Sequence, residues 1–488
     1  MRAAFPRDPA PGSSGASRAP RVALAAAVLF LGLQWAWLAP VPFLSEDWTQ
    51  LAALGDVETL SAALDPGREP LRPLQHAFLW LLAHCGADPA GSLPAVARAV
   101  ALALFAGSTA LVLGLARRAG LGAGGAAAAA LLFVAFPCAK LLVWPAAIGS
   151  PLRVAFELAA LLLLVRRAQG GPGWSGALGL VSLVLALGGH ESAFLLPAIL
   201  LAWLACVGTA GLREGLARVR AALRDPYVLA ACALAAFHVV HLLWFRPQRV
   251  HGAKDLAALP ANLAKAALAL APEVLRGPAI AGLRGHLGTL GLVLGGAALL
   301  AALALWILAL WRGGLARFAA LAIALDLGLA VAGAGFVQRY ACLAAAFAAL
   351  SVAEWASTPA RRALAAALGL AWACDAWVDA REIRTAGAGA LRLAAEARAV
   401  PGTAPLVLVG VPDMIGAEVD VPFFNWGGAL FLRAHGCARP VRLVRERAFR
   451  TNSDQELVGP AQLAEFAAQG AVVLRWTGHD APLVPYTP

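Results

Sequence analysis

The sequence predicts an all-α polytopic membrane protein of about 11 transmembrane helices, followed by a small extracytoplasmic α/β domain. Three observations lead to this fold class. Of the residues, 60% are hydrophobic and only 14% charged, and the mean hydropathy is +0.73, which no ordinary soluble domain shows. Apolar runs of roughly 17–25 residues, long enough to cross about 30 Å of hydrocarbon as helix, recur through residues 21–380. Arginines gather in alternate loops, as the positive-inside bias demands.

The first run, 21–42, follows a tail (1–20) holding Arg2, Arg7 and Arg18, with Arg21 at the start of the run itself, so the N-terminus is expected in the cytoplasm. Its apolar stretch is too long for a signal-peptide core and no small-residue cleavage site follows, so it reads as uncleaved. Further spans are predicted at 92–116, 123–143, 151–166, 174–189, 191–208, 226–245, 286–311, 315–334, 338–356 and 361–379. Only Gly188-Gly189-His190-Glu191 separates the pair at 174–189 and 191–208.

Alternation then gives the inner loops Arg117-Arg118, Arg166-Arg167, Arg213, Arg218, Arg220 and Arg224, Arg312 with Arg317, and Arg361-Arg362. The loop at 246–285 is the exception, basic and outside. These cytoplasmic arginines account for much of the pI near 10.1, so no nucleic-acid partner is implied. Seven cysteines, an odd number lying mostly in predicted spans, imply no disulfide framework. The abundant alanine and glycine permit close helix packing and, with almost no lysine, suit a GC-rich bacterial genome and hence a bacterial inner membrane.

Ionisable residues inside the spans fall almost entirely on the outer side: Lys140, Arg153, Glu157, His190, Glu191, His238, His241, Arg339, Asp375 and Asp379. Buried charge in a membrane is expensive unless paired or wetted, so a one-sided set suggests a polar cavity open to the outside. Arg153 and Glu157, four apart on one helix, are expected to pair. Asp326 is mid-span with no evident partner, and is either bonded to another helix or protonated. His190-Glu191 either lines the cavity or caps a helix. His238 and His241 either satisfy their hydrogen bonds near the headgroups or bind metal with Glu191; no metal site is assigned. Asp375 and Asp379 face headgroups or the cavity. Most tryptophans lie near span ends, as an interfacial belt requires; Trp144, in the second outer loop, is the candidate stacking platform.

The first outer loop, 43–91, carries the most chemistry. It opens Ser45-Glu46-Asp47-Trp48 where the first helix leaves the membrane. An amphipathic helix is predicted over 48–64, with Leu51, Leu54 and Leu60 inward. Then come Glu69-Pro70-Leu71-Arg72-Pro73 and a run, 75–82, too short to span. A carboxylate at such an interface can take a proton from an acceptor hydroxyl, and an arginine in a stiff frame can hold a phosphate with paired hydrogen bonds. The competing reading is that Glu46-Asp47 caps the surface helix.

Several short segments in order resemble GT-C fold membrane glycosyltransferases, most nearly the bacterial relatives of the protein O-mannosyltransferase group. They are "SEDW" with "LRPLQHAFLWLLAHCGADP" in the first outer loop, "FPCAKLLVWPAAIGSPL" at 136–152, "LGGHESAFLLPAILLAWL" at 187–204 and "FVQRYACLAAAFAAL" at 336–350. The resemblance covers roughly the first 355 residues, sparsely. It implies a GT-C-like domain over 21–380 and inverting transfer of a sugar from a polyprenyl-phosphate-linked donor to a glycan, lipid or protein acceptor outside the cytoplasm. It carries the catalytic base onto Asp47, with Glu46 beside it, and by position the donor phosphate onto Arg72 and Arg339. His190, Glu191 and Trp144 become cavity-lining residues. Many members hold two aspartates where this chain has Glu46-Asp47, which leaves open which carboxylate takes the proton.

Beyond Arg381 an amphipathic helix to about Val400 is expected to lead into an extracytoplasmic α/β domain, 381–488, with strands within 404–413, 438–444 and 470–476 and a helix at 460–469. No nucleotide or other cofactor site is expected. Two other classes remain, a transporter or flippase of lipid-linked sugars and a non-catalytic membrane scaffold. Transporters place key charges midway between repeated halves, and here no internal repeat is evident and only Asp326 is central.

Overall fold

A computed structural model describes residues 18–44, 46–65, 72–86, 88, 90–137, 141–142, 144–245, 259–283, 288–332, 341–412, 414–415, 421–424, 427–446, 455–478 and 481–486. These are mostly helical, with a small sheet near the C-terminal end. Each of the eleven apolar runs overlaps a helix. Among the described residues six helices are long and apolar enough to cross a membrane: Arg18–Leu38, Leu93–Arg118, Pro145–Ala168, Pro226–Trp244, Val293–Arg312 and Pro359–Ala399. Ala123–Ala135, Gly173–Gly189, Glu191–Cys206 and Cys342–Trp355 are apolar but shorter.

Exposure divides the long helices. Of the most apolar stretch in each, 72% is buried in Pro145–Ala168 but only 6% in Val293–Arg312 and 17% in Pro226–Trp244. The last two turn Phe237, Trp244, Leu300, Leu305 and Trp311 outward, an apolar surface that water disfavours and hydrocarbon accepts.

The chain forms two compact units. The first comprises Met1–Leu31, Ala103–Cys138 and Gly149–Ala376. Within it, helices Gly149–Ala168 and Gly173–Gly189 pack closely because Gly179 lies against Leu164, where a Cβ would come within 2.8 Å of the leucine Cγ. Trp203, Phe318 and Phe347 meet edge to face, with centroids 4.9 and 5.2 Å apart, and join three helices. The narrow gap between the fifth and sixth predicted spans is a real break. Helix Gly173–Gly189 ends, His190 is extended, and a 3-10 turn over Glu191–Leu195 precedes helix Leu196–Cys206, which has a proline in its first turn.

Ends that alternation assigns to one side meet within this unit. Arg167 donates to Asp225 at 2.9 Å and lies over the Tyr227 ring, joining two predicted inner loops. Asp375 accepts the Glu273 N–H at 2.8 Å, joining two predicted outer ends. The loop at 246–285, read only as basic, contains helices Leu259–Ala267 and Glu273–Leu283, and Leu268 and Ala279 bury themselves against Ala298 and Ala302.

The second unit comprises Gly32–Leu102, Ala139–Ile148 and Trp377–Pro488. The first outer loop thus belongs with the C-terminal domain, which a division of the sequence at residue 380 had separated. Nor does that boundary interrupt the backbone: Pro359–Ala399 is one helix of 41 residues, roughly 60 Å long at 1.5 Å per residue. Alanine recurs along it and no proline follows the first position, so nothing stops it at the end of the apolar stretch. Arg439 donates to the carbonyls of Val400, Gly402 and Ala404 and so holds the turn where this helix gives way to the sheet.

Among the described residues seven strands form: β1 (Leu406–Val409), β2 (Met414–Ile415), β3 (Val421–Pro422), β4 (Val441–Arg445), β5 (Glu456–Leu457), β6 (Val472–Arg475) and β7 (Val484–Pro485). Five form a sheet in the order β5-β4-β1-β6-β7, and β2 pairs with β3. The three strands read from sequence are its parallel centre, with Leu406 opposite Val441 on one side and Val472 on the other. Val407, Val409, Val444, Val458 and Leu463 form its core, and helix Pro460–Ala468 lies where expected. Helix Gly428–Ala434 was not anticipated.

The surface helix of the first loop is shorter than predicted. It runs Glu46–Gly55, and a separate turn, Leu60–Ala63, begins at Thr59, whose hydroxyl caps the Ala62 N–H. Leu51 and Leu54 are buried, but the break turns Leu60 outward.

Candidate functional site

The first transmembrane-length helix ends at Leu38, and the chain leaves it through Pro40 and Pro42, neither of which can donate a backbone hydrogen bond. The two carbonyls at this exit, of Ala39 and Pro42, are each taken by Arg98 at 3.1 Å. Arg98 comes from helix Leu93–Arg118 and is fully buried. It was missed in the sequence, although a lone arginine inside an apolar run was the available signal.

Asp47 sits in the first turn of helix Glu46–Gly55 and is 0% exposed. Its Oδ2 accepts the Leu44 N–H at 3.0 Å, while the Asp47 N–H donates to the Leu44 carbonyl at 3.0 Å. A side chain reaching back to the amide three residues earlier is half of a capping box, so the capping reading holds for one oxygen. The other, Oδ1, accepts the Ala146 N–H at 2.8 Å, from the second outer loop. Ala146 is held on its other face as well, where buried Gln75 donates to its carbonyl at 2.6 Å. Helices Glu46–Gly55 and Pro73–His84 thus converge with the 3-10 turn Pro145–Ala147 around one peptide unit.

Two N–H donors and the nearby guanidinium of Arg98 face the fully buried Asp47 carboxylate. A general base must be ionised to accept a proton.

Trp48 extends the cluster, with its indole N–H donating to the Phe43 carbonyl at 3.0 Å and its ring edge-on to Phe43. Trp144 is buried at 4% exposure immediately before the Pro145–Ala147 turn, so its ring offers no open face to a sugar in this conformation. His76 is buried on helix Pro73–His84, and Arg72, half-buried, stands at that helix's start, its carbonyl accepting the His76 N–H at 3.0 Å. Arg339, Lys140 and the side chain of Glu46 lie outside the described residues.

The structure therefore brings Asp47, Arg72 and Trp144 into one compact unit, while His190 and Glu191 belong to the other. There, His190 Nδ1 takes the Ser192 hydroxyl at 2.8 Å and faces the Ser192 N–H at 3.3 Å, which is a helix cap. Its ring nitrogen is 3.7 Å from a Glu191 carboxylate oxygen. Asp326 does have a partner. Arg153 pairs with Glu157 at 3.0 Å, as the spacing predicted, and at the same time with Asp326 on another helix, making a buried three-residue ion cluster. Asp375 accepts the first N–H of helix Glu273–Leu283 with one oxygen. Among the described residues no three His, Cys, Asp or Glu side chains gather as a metal site would require.

No known protein-family model and no curated protein sequence matches this chain.

Proposed function

We propose that the chain is a GT-C-like integral glycosyltransferase of a bacterial inner membrane, moving a sugar from a polyprenyl-phosphate-linked donor to an acceptor on the extracytoplasmic face. The observation that carries the reading is the convergence of the first and second outer loops on the Asp47 carboxylate through Leu44 and Ala146. The six long apolar helices, two of them with almost bare apolar surfaces, support the membrane setting.

In this reading the acceptor hydroxyl displaces one N–H contact of Asp47 and passes its proton to the freed carboxylate oxygen. The hydroxyl oxygen bonds to the anomeric carbon as the bond from that carbon to the phosphate oxygen breaks, with inversion, and the polyprenyl phosphate leaves with the bonding electrons. Arg72 and Arg339 stabilise the charge that develops on the phosphate. Glu46 is the neighbouring carboxylate in the same turn.

A transporter of lipid-linked sugars is the second reading, favoured by the buried Arg153–Glu157–Asp326 cluster. The test is mass spectrometry of lipid-linked sugars and envelope glycans in a strain lacking the gene, restored with wild type or with Asp47→Asn. Loss of a glycan modification rescued by wild type alone identifies transfer and its acceptor. Rescue by both favours transport or scaffolding.

A further inference from the structure

Helix Gly428–Ala434 of the C-terminal domain starts after Gly427, which holds a left-handed φ of 68°, and buries Phe431 and Leu432. The Phe431 ring stands edge-on to Trp48, centroids 6.0 Å apart, and to Phe424 at 5.2 Å. His435, at the end of the same helix, is edge-on to Trp48 at 5.8 Å and 4.2 Å from Phe431. Its Nδ1 is 2.8 Å from the Phe431 carbonyl, an acceptor, so Nδ1 donates there and the ring's other nitrogen is Nε2. That Nε2 is buried with no hydrogen-bond partner among the described residues. The imidazole therefore serves here as a ring packed on Trp48.

Trp48 directly follows Asp47, and Phe43, Phe431 and His435 each stand edge-on to its indole. The Asp47 carboxylate accepts the backbone N–H groups of Leu44 and of distant Ala146, and hydrogen bonds of 2.8 and 3.0 Å do not survive displacement by an ångström. We propose that helix Gly428–Ala434, through Phe431 and His435, is the positioning element of the Asp47 site. The C-terminal domain holds Trp48, and Trp48 sets where the carboxylate sits. The catalytic meaning of this coupling rests on the transferase reading; the coupling itself does not.

The test is hydrogen exchange read by mass spectrometry on the full-length protein in lipid nanodiscs, following peptides that cover 43–48 and 144–148. Edge-to-face aromatic contacts of this kind are worth up to about a factor of ten in a local opening equilibrium. His435→Ala and Phe431→Ala are accordingly expected to speed exchange in both peptides roughly tenfold. His435→Phe, which keeps a ring against Trp48, is expected to restore wild-type rates. Arg475→Ala, which breaks a surface pair with Glu446, is expected to leave them unchanged. Peptides covering β1 and β4 report whether the sheet itself has opened; if Phe431→Ala opens it, the half-buried His435 carries the comparison. Unchanged exchange at 43–48 and 144–148 in His435→Ala, with the sheet intact, overturns the proposal. Sugar transfer by the same variants then reads the consequence: a lower kcat at constant KM in His435→Ala, recovered in His435→Phe, supports positioning. Absence of transfer in the wild type removes the transferase reading and leaves the exchange result standing.

Discussion

Asp47 and Ala146 are ninety-nine residues apart in the chain and share one hydrogen bond of 2.8 Å, through which the predicted first and second outer loops are tied. Because the same carboxylate also takes the Leu44 amide, a substitution there disturbs three backbone segments together.

Asp47→Asn is the most direct probe. An asparagine amide has one accepting oxygen, so one of the two N–H groups would face a donor. We expect a loss of about 1–3 kcal/mol in stability for that unsatisfied contact, and a fall in transfer of at least about 100-fold from loss of the base. Thermal unfolding and a transfer assay on the same preparation check both; full activity in a folded Asp47→Asn protein removes the residue from the mechanism.

Arg72→Ala is expected to weaken binding of a polyprenyl-phosphate sugar by about 1.5–3 kcal/mol, the range for a hydrogen bond to a charged group. Stability should change little, since Arg72 is half-buried at a helix start rather than in the core. Donor titration by calorimetry or quenching reads the difference, and unchanged affinity would end the assignment.

Arg98→Met removes two donors from the Ala39 and Pro42 carbonyls and the cation facing Asp47. The expected loss is about 3–5 kcal/mol, as for a buried charge deprived of its partner. Arg98→Lys should recover only part of it, because a point ammonium cannot span two carbonyls as a planar fork does. Unfolding temperatures of the three proteins decide the order.

The Arg153–Glu157–Asp326 cluster separates stability from function. Arg153→Met leaves two carboxylates buried together and should cost about 3–5 kcal/mol. Replacing all three by apolar residues of similar size should restore most of that stability. A transferase keeps its activity in the triple variant; a transporter that uses the cluster loses its activity.

One pH effect arises in the predicted inner loop at 209–225. The Ala210 N–H, then Arg218, hold the Glu214 carboxyl below the usual glutamate range. A depressed carboxyl lends stability above its unfolded pKa and loses it as pH falls through its folded one. Protection of the Ala210 amide, taken relative to its intrinsic exchange rate at each pH, should therefore fall as pH drops through the folded pKa, below the ordinary glutamate range, while Glu214→Gln should lose that pH dependence.

Periodic apolar runs were legible in the sequence because each helix carries its own signal, as were the three central strands, of which the middle one, β1, is buried along its whole length. Pairings between distant segments were not. Nothing local announces that Arg153 meets Asp326, or that Arg98 closes the exit at Ala39 and Pro42. The surface helix was overextended because Leu60 continues the apolar spacing past Gly55, whose lack of a side chain weakens a helix there. Helix Gly428–Ala434 is only seven residues long, too short to leave a periodic trace, and it is the element that reaches Trp48.

The unbroken helix Pro359–Ala399 also sets a rule of phase. A flexible linker absorbs added residues, whereas each residue inserted into an α-helix rotates the remainder of the helix by about 100° and advances it about 1.5 Å. Gly387 lies on this rod against Val41 and Pro42, where a Cβ would come within 2.9 Å of the valine side chain. One extra alanine between Trp377 and Gly387 would rotate a bulkier neighbour into that seat. Length polymorphism should therefore be tolerated in the loops of this chain and rejected along its longest helix.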